Sequence, residues 1–182
     1  MPIVPLHLLK SILRVDFAED DAVLALYVDA AEEFIERHTR RALSTKTKVK
    51  HLREFPTTEV TLPYPPFQSI TAVTYRDVDG VIQSLPAANY TLEESGALHR
   101  VRFIGDLPDL DPDAPKVSIT WTAGYTAGNI PADLQLAVAR LAGSYYMNPE
   151  ASSMLSLSEV PYGIRTVIEN RSVPTLDGEG PD

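Results

Sequence analysis

No cysteine occurs among the 182 residues of this sequence. Disulfide staples, thiol catalysis and thiolate zinc sites are therefore excluded. Nor is there a run of about 18 apolar residues such as a membrane span needs. The opening stretch, MPIVPLHLLKSILRVDF, has no basic segment ahead of an apolar core and no small-residue cleavage site, so it does not read as a signal peptide. Positive charge is in deficit: 16 Lys and Arg stand against 25 Asp and Glu, a net charge of −9. Affinity for nucleic acid comes mainly from Lys and Arg on phosphates, so this balance opposes direct DNA binding. It does not oppose a protein that DNA slides past, because an acidic wall repels phosphates.

Catalytic signatures are missing as well. There is no GxSxG elbow and no GxxxxGK phosphate loop. His7, His38, His51 and His99 sit in no metal-ligand spacing. Asp106, Asp109, Asp111 and Asp113 offer oxygens, but their run lacks the glycine and terminal glutamate of a calcium loop and reads as a solvated, proline-stiffened segment. Asp16, Glu19, Asp20 and Asp21 are accounted for by helix capping and the helix dipole. Lys46, Lys48, Lys50 and Arg53 form a stripe that reads as the solvated face of an edge strand, where lysine discourages stray pairing. No cofactor, no metal and no catalysis are expected.

What is present is the balance of an ordinary soluble domain, 44% hydrophobic and 23% charged, with no internal repeat. The central element is the stretch 20–43, DDAVLALYVDAAEEFIERHTRRAL. Val23, Tyr27, Ala30 and Phe34 recur at helical spacing, and Leu24, Ala31 and Ile35 widen the stripe into a broad apolar face. Glu32, Glu33, Glu36, Arg37 and Arg40 fall mostly off it, with acids crowding the start and bases the end. His38 lies at the edge of the face and reads as packed or interfacial.

A short helix over 5–13 precedes it, with Pro5 at the first position. Between 45 and 122 the pattern turns to β-branched and aromatic residues broken by Pro and Gly. DVDG over 77–80 predicts one hairpin, and a turn at 94–96 predicts a second. In KVSITWT, Val117, Ile119 and Trp121 face one way and Ser118, Thr120 and Thr122 the other. Helical period returns over 131–147, with Leu134, Val138, Leu141 and Tyr145 in one stripe. The expected architecture is α+β: a helical scaffold, made of an N-terminal helix pair and a long C-terminal helix, carrying an inserted small antiparallel β domain. Residues 1–147 form that domain. Residues 148–182 form an extended C-terminal arm with a short helix near 160–170 and an acidic tail that cannot fold alone.

Four phrases, in this order, carry a family resemblance. LKSILRVDFAEDDAVLALYVDAAEEFIERHTRRAL is similar to the opening of head–tail connector proteins of tailed bacteriophages, also called adaptor or head-completion proteins. VTLPYPPFQSITAVTYRDVDG resembles their apolar-proline phrase and hairpin. VSITWTAGYTAGNIPADLQLAVARLAGSYYMNPE resembles their strand, TAGY loop and IP-led helix. SEVPYGIRTVIENR resembles their closing segment, which in relatives ends more basically than at Glu169-Asn170. The likeness spans about residues 6–171.

The resemblance implies a non-catalytic virion protein of the neck, made in the host cytoplasm. It implies a dodecameric ring of self-contacts, bound to the portal protein on one side and to a neck, stopper or tail-completion protein on the other. DNA is then only passing cargo, and no membrane is involved. Val160, Pro161, Tyr162, Gly163, Ile164, Arg165, Val167, Ile168 and Arg171 become candidates for the portal contact. Tyr27, Ala31, Phe34, Ile35 and His38 become candidates for packing between subunits. Two competing readings are a DNA-packaging accessory factor that contacts DNA directly and a small hydrolase. The first requires salt-dependent retention on DNA, and the second a buried cluster of titratable groups.

Overall fold

A computed structural model of the chain describes residues 3–112, 116–148 and 161–173. Among the described residues, two α-helices are followed by seven strands with one 3-10 turn and then by two further α-helices, the segregated order of an α+β chain. They divide into two compact units. One comprises the residues up to Ser44 and from Thr126 onward, and the other runs Thr45–Tyr125. The β region is thus an insertion within a helical unit.

The helical unit contains α1 (Leu6–Leu13), α2 (Asp21–Thr39), α3 (Ala132–Met147) and α4 (Tyr162–Arg171). Pro5 stands just before α1, where its missing N–H costs nothing. The buried side of α2 is Leu24, Val28, Ala31 and Ile35, continued by Phe34 and Thr39. Val23 and Ala30, expected in that stripe, are exposed instead. Alternate apolar residues ring much of this helix, so period alone does not say which side turns inward.

Two carboxylates expected off the apolar face are buried. Glu32 is 7% exposed and Glu36 9%. Glu36 accepts the backbone N–H of Leu43 at 2.7 Å, and Glu32 accepts the Ser44 hydroxyl at 2.6 Å. They satisfy the chain as it turns back along its own helix, which is what makes buried carboxylates tolerable. α2 ends at Thr39, short of Leu43, because Arg40 takes a left-handed conformation (φ 54°). The acids at its start do not cap it: no side-chain capping bond forms. Asp20 receives the Tyr146 hydroxyl at 2.6 Å and Asp21 the Lys10 ammonium at 2.6 Å, so α2 is tied to α3 and α1.

The β unit holds two antiparallel sheets. The first is ordered β1 (Lys46–Leu52), β7 (Val117–Ala123), β3 (Phe67–Arg76), β4 (Ile82–Ser84). The second is ordered β2 (Val60–Leu62), β6 (Leu98–Phe103), β5 (Tyr90–Ser95). Both expected hairpins form, β3 with β4 and β5 with β6. The Asp77 carboxylate closes the first turn by accepting the N–H groups of Asp79 and Val81, and Gly80 supplies the positive φ of 78°. β7 alternates as expected, with Val117, Ile119, Trp121 and Ala123 buried.

That buried face meets the second sheet. Phe67 stacks on His99, and Phe55 lies against Tyr75 and Phe103. Lys46, Lys48 and Lys50 pair in register with Ala123, Trp121 and Ile119, so they lie on this core face and not on the solvated one. Their aliphatic stems cover apolar surface while the ammonium groups escape. Lys50 reaches the Thr61 carbonyl, and the Lys48 ammonium sits 4.3 Å above the Tyr64 ring.

Candidate functional site

The described residues contain no group of His, Asp and Glu able to hold a metal ion, and no helix long and apolar enough to cross a membrane. A concavity in the β unit is open and polar, lined by Thr57, Thr58, Glu59, Thr61, Arg100 and Arg102. Its charges are internally paired. Both arginines bind Glu59, and Arg102 also approaches Glu93. The Arg102 and then the Arg100 hydrogen bonds hold the Glu59 carboxyl below its ordinary range. Two paired guanidinium groups beside a carboxylate are a brace between strands, not a substrate cradle. The surfaces that remain as candidates are those available to other protein chains.

The first is the closing segment. Val160 lies outside the described residues, as does the side chain of Tyr162. Pro161 and Gly163 are exposed. Ile164 and Ile168, expected to wait for a partner, are buried inside this subunit's own helical unit, together with Val173. Val167 is half-buried, and Arg165 pairs with Glu169 one turn on. Arg171 grips Asp133 with two bonds of 2.8 and 3.1 Å. Burial alone would raise the Asp133 carboxyl, but the Arg171 bonds and the Leu134 N–H outweigh it and hold it low. The end of α2 completes the latch. Arg41 donates to the Arg171 carbonyl at 2.6 Å, and the Val173 N–H to the Thr39 carbonyl at 3.0 Å. Through Val173 the described part of the arm is thus folded onto its own subunit. What it presents outward is polar: Arg165, Glu169 and Asn170.

The second is the α2 surface. Ala31 and Ile35 have no exposed area, so they pack within the subunit and leave a neighbour nothing to touch. Phe34 is nearly buried, with the His38 ring 4.1 Å from its centroid. The His38 Nδ1 is bonded to the Phe34 carbonyl at 2.8 Å. Tyr27 is half-buried against Tyr145. Among the apolar side chains that α2 offers outward are Val23, Leu26 and Ala30, at helical spacing i, i+3, i+7. Leu26 is 65% exposed. Leu8 and Ile12 form a similar pair on α1, and Leu136 and Met147 stand exposed on α3. In the β unit, Val78, Val81 and Ile82 cluster at the first hairpin. Sequence reasoning located that hairpin but did not register three large apolar side chains within five residues at its tip.

A scan against known protein families matches residues 3–170 to head completion protein. The chain belongs to the head completion protein family. Three solved structures it is similar to come from GTA particles. A chain in the neck of an empty GTA particle, computed with C6 symmetry, matches with a TM-score of 0.79 and 27% identity over 98% of this chain and 94% of that one. A chain in the virion of a native gene transfer agent (GTA) particle matches at 0.78 and 28% identity, over 97% and 93%. A chain in the neck of a native GTA particle, computed with C12 symmetry, matches at 0.73 and 28%, over 98% and 96%. No curated protein matches. This family membership bears out the resemblance read from the four phrases.

Proposed function

We propose that this head completion protein is a structural adaptor of the virion neck that packs as a ring below the portal and joins the capsid to the tail. The observation that carries the reading is the near-full-length likeness to chains in the necks of two GTA particle structures, across 98% of this chain. A dodecamer is the ring size proposed, in line with the twelvefold symmetry applied to one of those necks. Its partners are the portal protein, a neck, stopper or tail-completion protein, and further copies of itself. Ring contacts are heterologous: one patch meets a different patch on the next copy, and rotation closes the set.

The outward apolar side chains suit that geometry. Val23, Leu26 and Ala30 leave α2 with a second face after its first is buried, and Tyr27, Phe34 and His38 flank it. The polar outer side of α4, with Arg165, and the residues after Val173 are the proposed portal contact. The bore is proposed to be acidic, so that DNA passes without adhering. No bond is made or broken in this role. Direct DNA binding is disfavoured by the charge of −9 and by lysines on β1 turned to the core face.

Electron cryo-microscopy of purified particles tests the reading. The expected result is twelve copies of this subunit between portal and tail. Particles with full necks that lack the subunit would overturn it.

A further inference from the structure

A closed ring needs two different patches on every copy, because the patch that one copy offers is met by another patch on the next. The outward side of α2 is one of them. We propose that the other is the outward side of α1, and that α1 of one copy packs antiparallel on α2 of the next. The proposal rests on the ring reading above and names the two helices that meet at each joint.

α1 carries no acid. Its sequence, LHLLKSIL, has neither Asp nor Glu, in a chain of net charge −9. It buries Leu9 and turns two rows of side chains outward, each at i, i+4 spacing. One row is apolar: Leu8 is 37% exposed and Ile12 45%. The row beside it is His7 and Ser11, both exposed. These two can donate, from an imidazole N–H and a hydroxyl. Lys10 is already held by Asp21 of its own subunit and takes no part.

α2 presents the counterpart. Its outward side also falls into two rows at i, i+4 spacing. Ala22, Leu26 and Ala30 form the apolar row, in which small residues on both sides of Leu26 let a second helix come close. Ala25, Asp29 and Glu33 form the row beside it, all exposed. The carboxylates of Asp29 and Glu33 have no hydrogen-bond or ion-pair partner among the described residues. On α3, by contrast, the exposed Leu136 and Met147 stand about three turns apart and make no such row.

Direction follows from the rows. On each helix the polar row starts one residue before the apolar one, His7 before Leu8 and Ala25 before Leu26, so it lies on the same rotational side. Two such helices facing each other in parallel would lay each polar row on the other's apolar row. Antiparallel, like meets like. Ile12 then comes against Leu26 and Leu8 against Ala30, while Ser11 and His7 come beside Asp29 and Glu33 and donate to them. Rows at i, i+4 on both helices interdigitate with axes crossing at about −50° and separated by about 8–10 Å. A helix of eight residues supplies direction and register, and other surfaces of the two copies supply the rest of the area that a stable interface needs.

The chain has no cysteine, which gives a clean test. Two forms of the subunit, one with Ser11→Cys and one with Asp29→Cys, are incorporated together into particles, which are then treated with a short bifunctional maleimide. A second mixture combines a Leu8→Cys form with an Ala30→Cys form, and each form is also incorporated alone. The paired cysteines lie on separate chains, so only a contact between copies can join them. The expected result is covalent dimers from both mixtures and monomer from every form alone. Dimers from one form alone would overturn the heterologous pairing. Subunit present in the necks of both mixtures without dimers would overturn the helix pairing and leave the ring reading standing. Wild-type subunit absent from necks would overturn the ring reading itself. All four positions are exposed, so these forms are expected to fold. As a second readout, Leu8→Asp should leave the melting temperature unchanged and exclude the subunit from particles, and incorporation at the wild-type level would also overturn the pairing.

Discussion

The Tyr146 hydroxyl donates to the Asp20 carboxylate at 2.6 Å, across 126 residues, and so pins the start of α2 to the end of α3. The Asp20 bond, joined by burial and the carboxylate's charge, raises the Tyr146 ionisation above its ordinary value of 10.0. Burial raises that of Tyr145 next to it. A group whose folded pKa is raised contributes stability that is intact below the unfolded pKa and is lost as pH climbs through the folded one. The melting temperature should hold up to about pH 10 and fall above it. Tyr146→Phe should be less stable than wild type at neutral pH and should show a shallower alkaline decline. Circular dichroism melts across that range check both.

Asp133 works in the opposite direction. Its folded pKa lies below the ordinary 3.8, with Arg171 the main lowering influence against burial. Its contribution is complete above 3.8 and disappears as pH falls through the lowered value. Acidification should loosen α4 before the rest of the helical unit, seen as faster amide exchange over 162–171. Both partners are 39% exposed, so Asp133→Asn should cost at most about 1 kcal/mol and should abolish that acid sensitivity.

The two sides of α2 should separate stability from assembly. Ile35→Ala empties a fully buried position and should cost about 2–5 kcal/mol in denaturant titrations. Phe34→Asp places an unpaired charge where 6% of the side chain is exposed and should unfold the subunit. Leu26→Asp acts on the outward side. It should leave the melting temperature unchanged and remove the subunit from purified particles. Incorporation at the wild-type level would refute the outward face of α2 as a subunit contact.

Truncation should depend sharply on where it is made. A chain ending at Val173 keeps Ile164, Ile168 and Val173 in place and should melt as wild type does, while failing to copurify with the portal protein. A chain ending at 160 uncovers α2 and α3 and should lose stability as well. If the chain ending at Val173 still copurifies with the portal, the residues after it are not the contact.

Much of the secondary structure was legible in the residues. Helical period marked α1, α2 and α3, the DVDG turn marked β3 and β4, and strict alternation marked the buried side of β7. What escaped has a common cause, because pattern reports faces and not partners. Val23 and Leu24 are equally apolar, and only the packing of the helical unit decides that Leu24 turns inward. Glu32 and Glu36 look like solvent-facing acids until Leu43 and Ser44 fold back to meet them. Lys48 and Lys50 look like a wet edge, yet their stems lie beside Trp121 and Ile119. Ile164 and Ile168 look unpartnered in their own segment, because the helices α2 and α3 lie far away in sequence. The pairing of β1 with β7 across the whole insertion had no local signal.

The β unit starts and finishes in the same place. The Thr45 hydroxyl donates to the Tyr125 carbonyl at 3.1 Å, and Lys46 pairs with Ala123 directly beyond. A segment whose two ends are clasped together behaves as a cassette. Evolution or an engineer can exchange it for another of different length and surface while the helices that flank it keep their own closure, so one scaffold can be refitted to different neighbours.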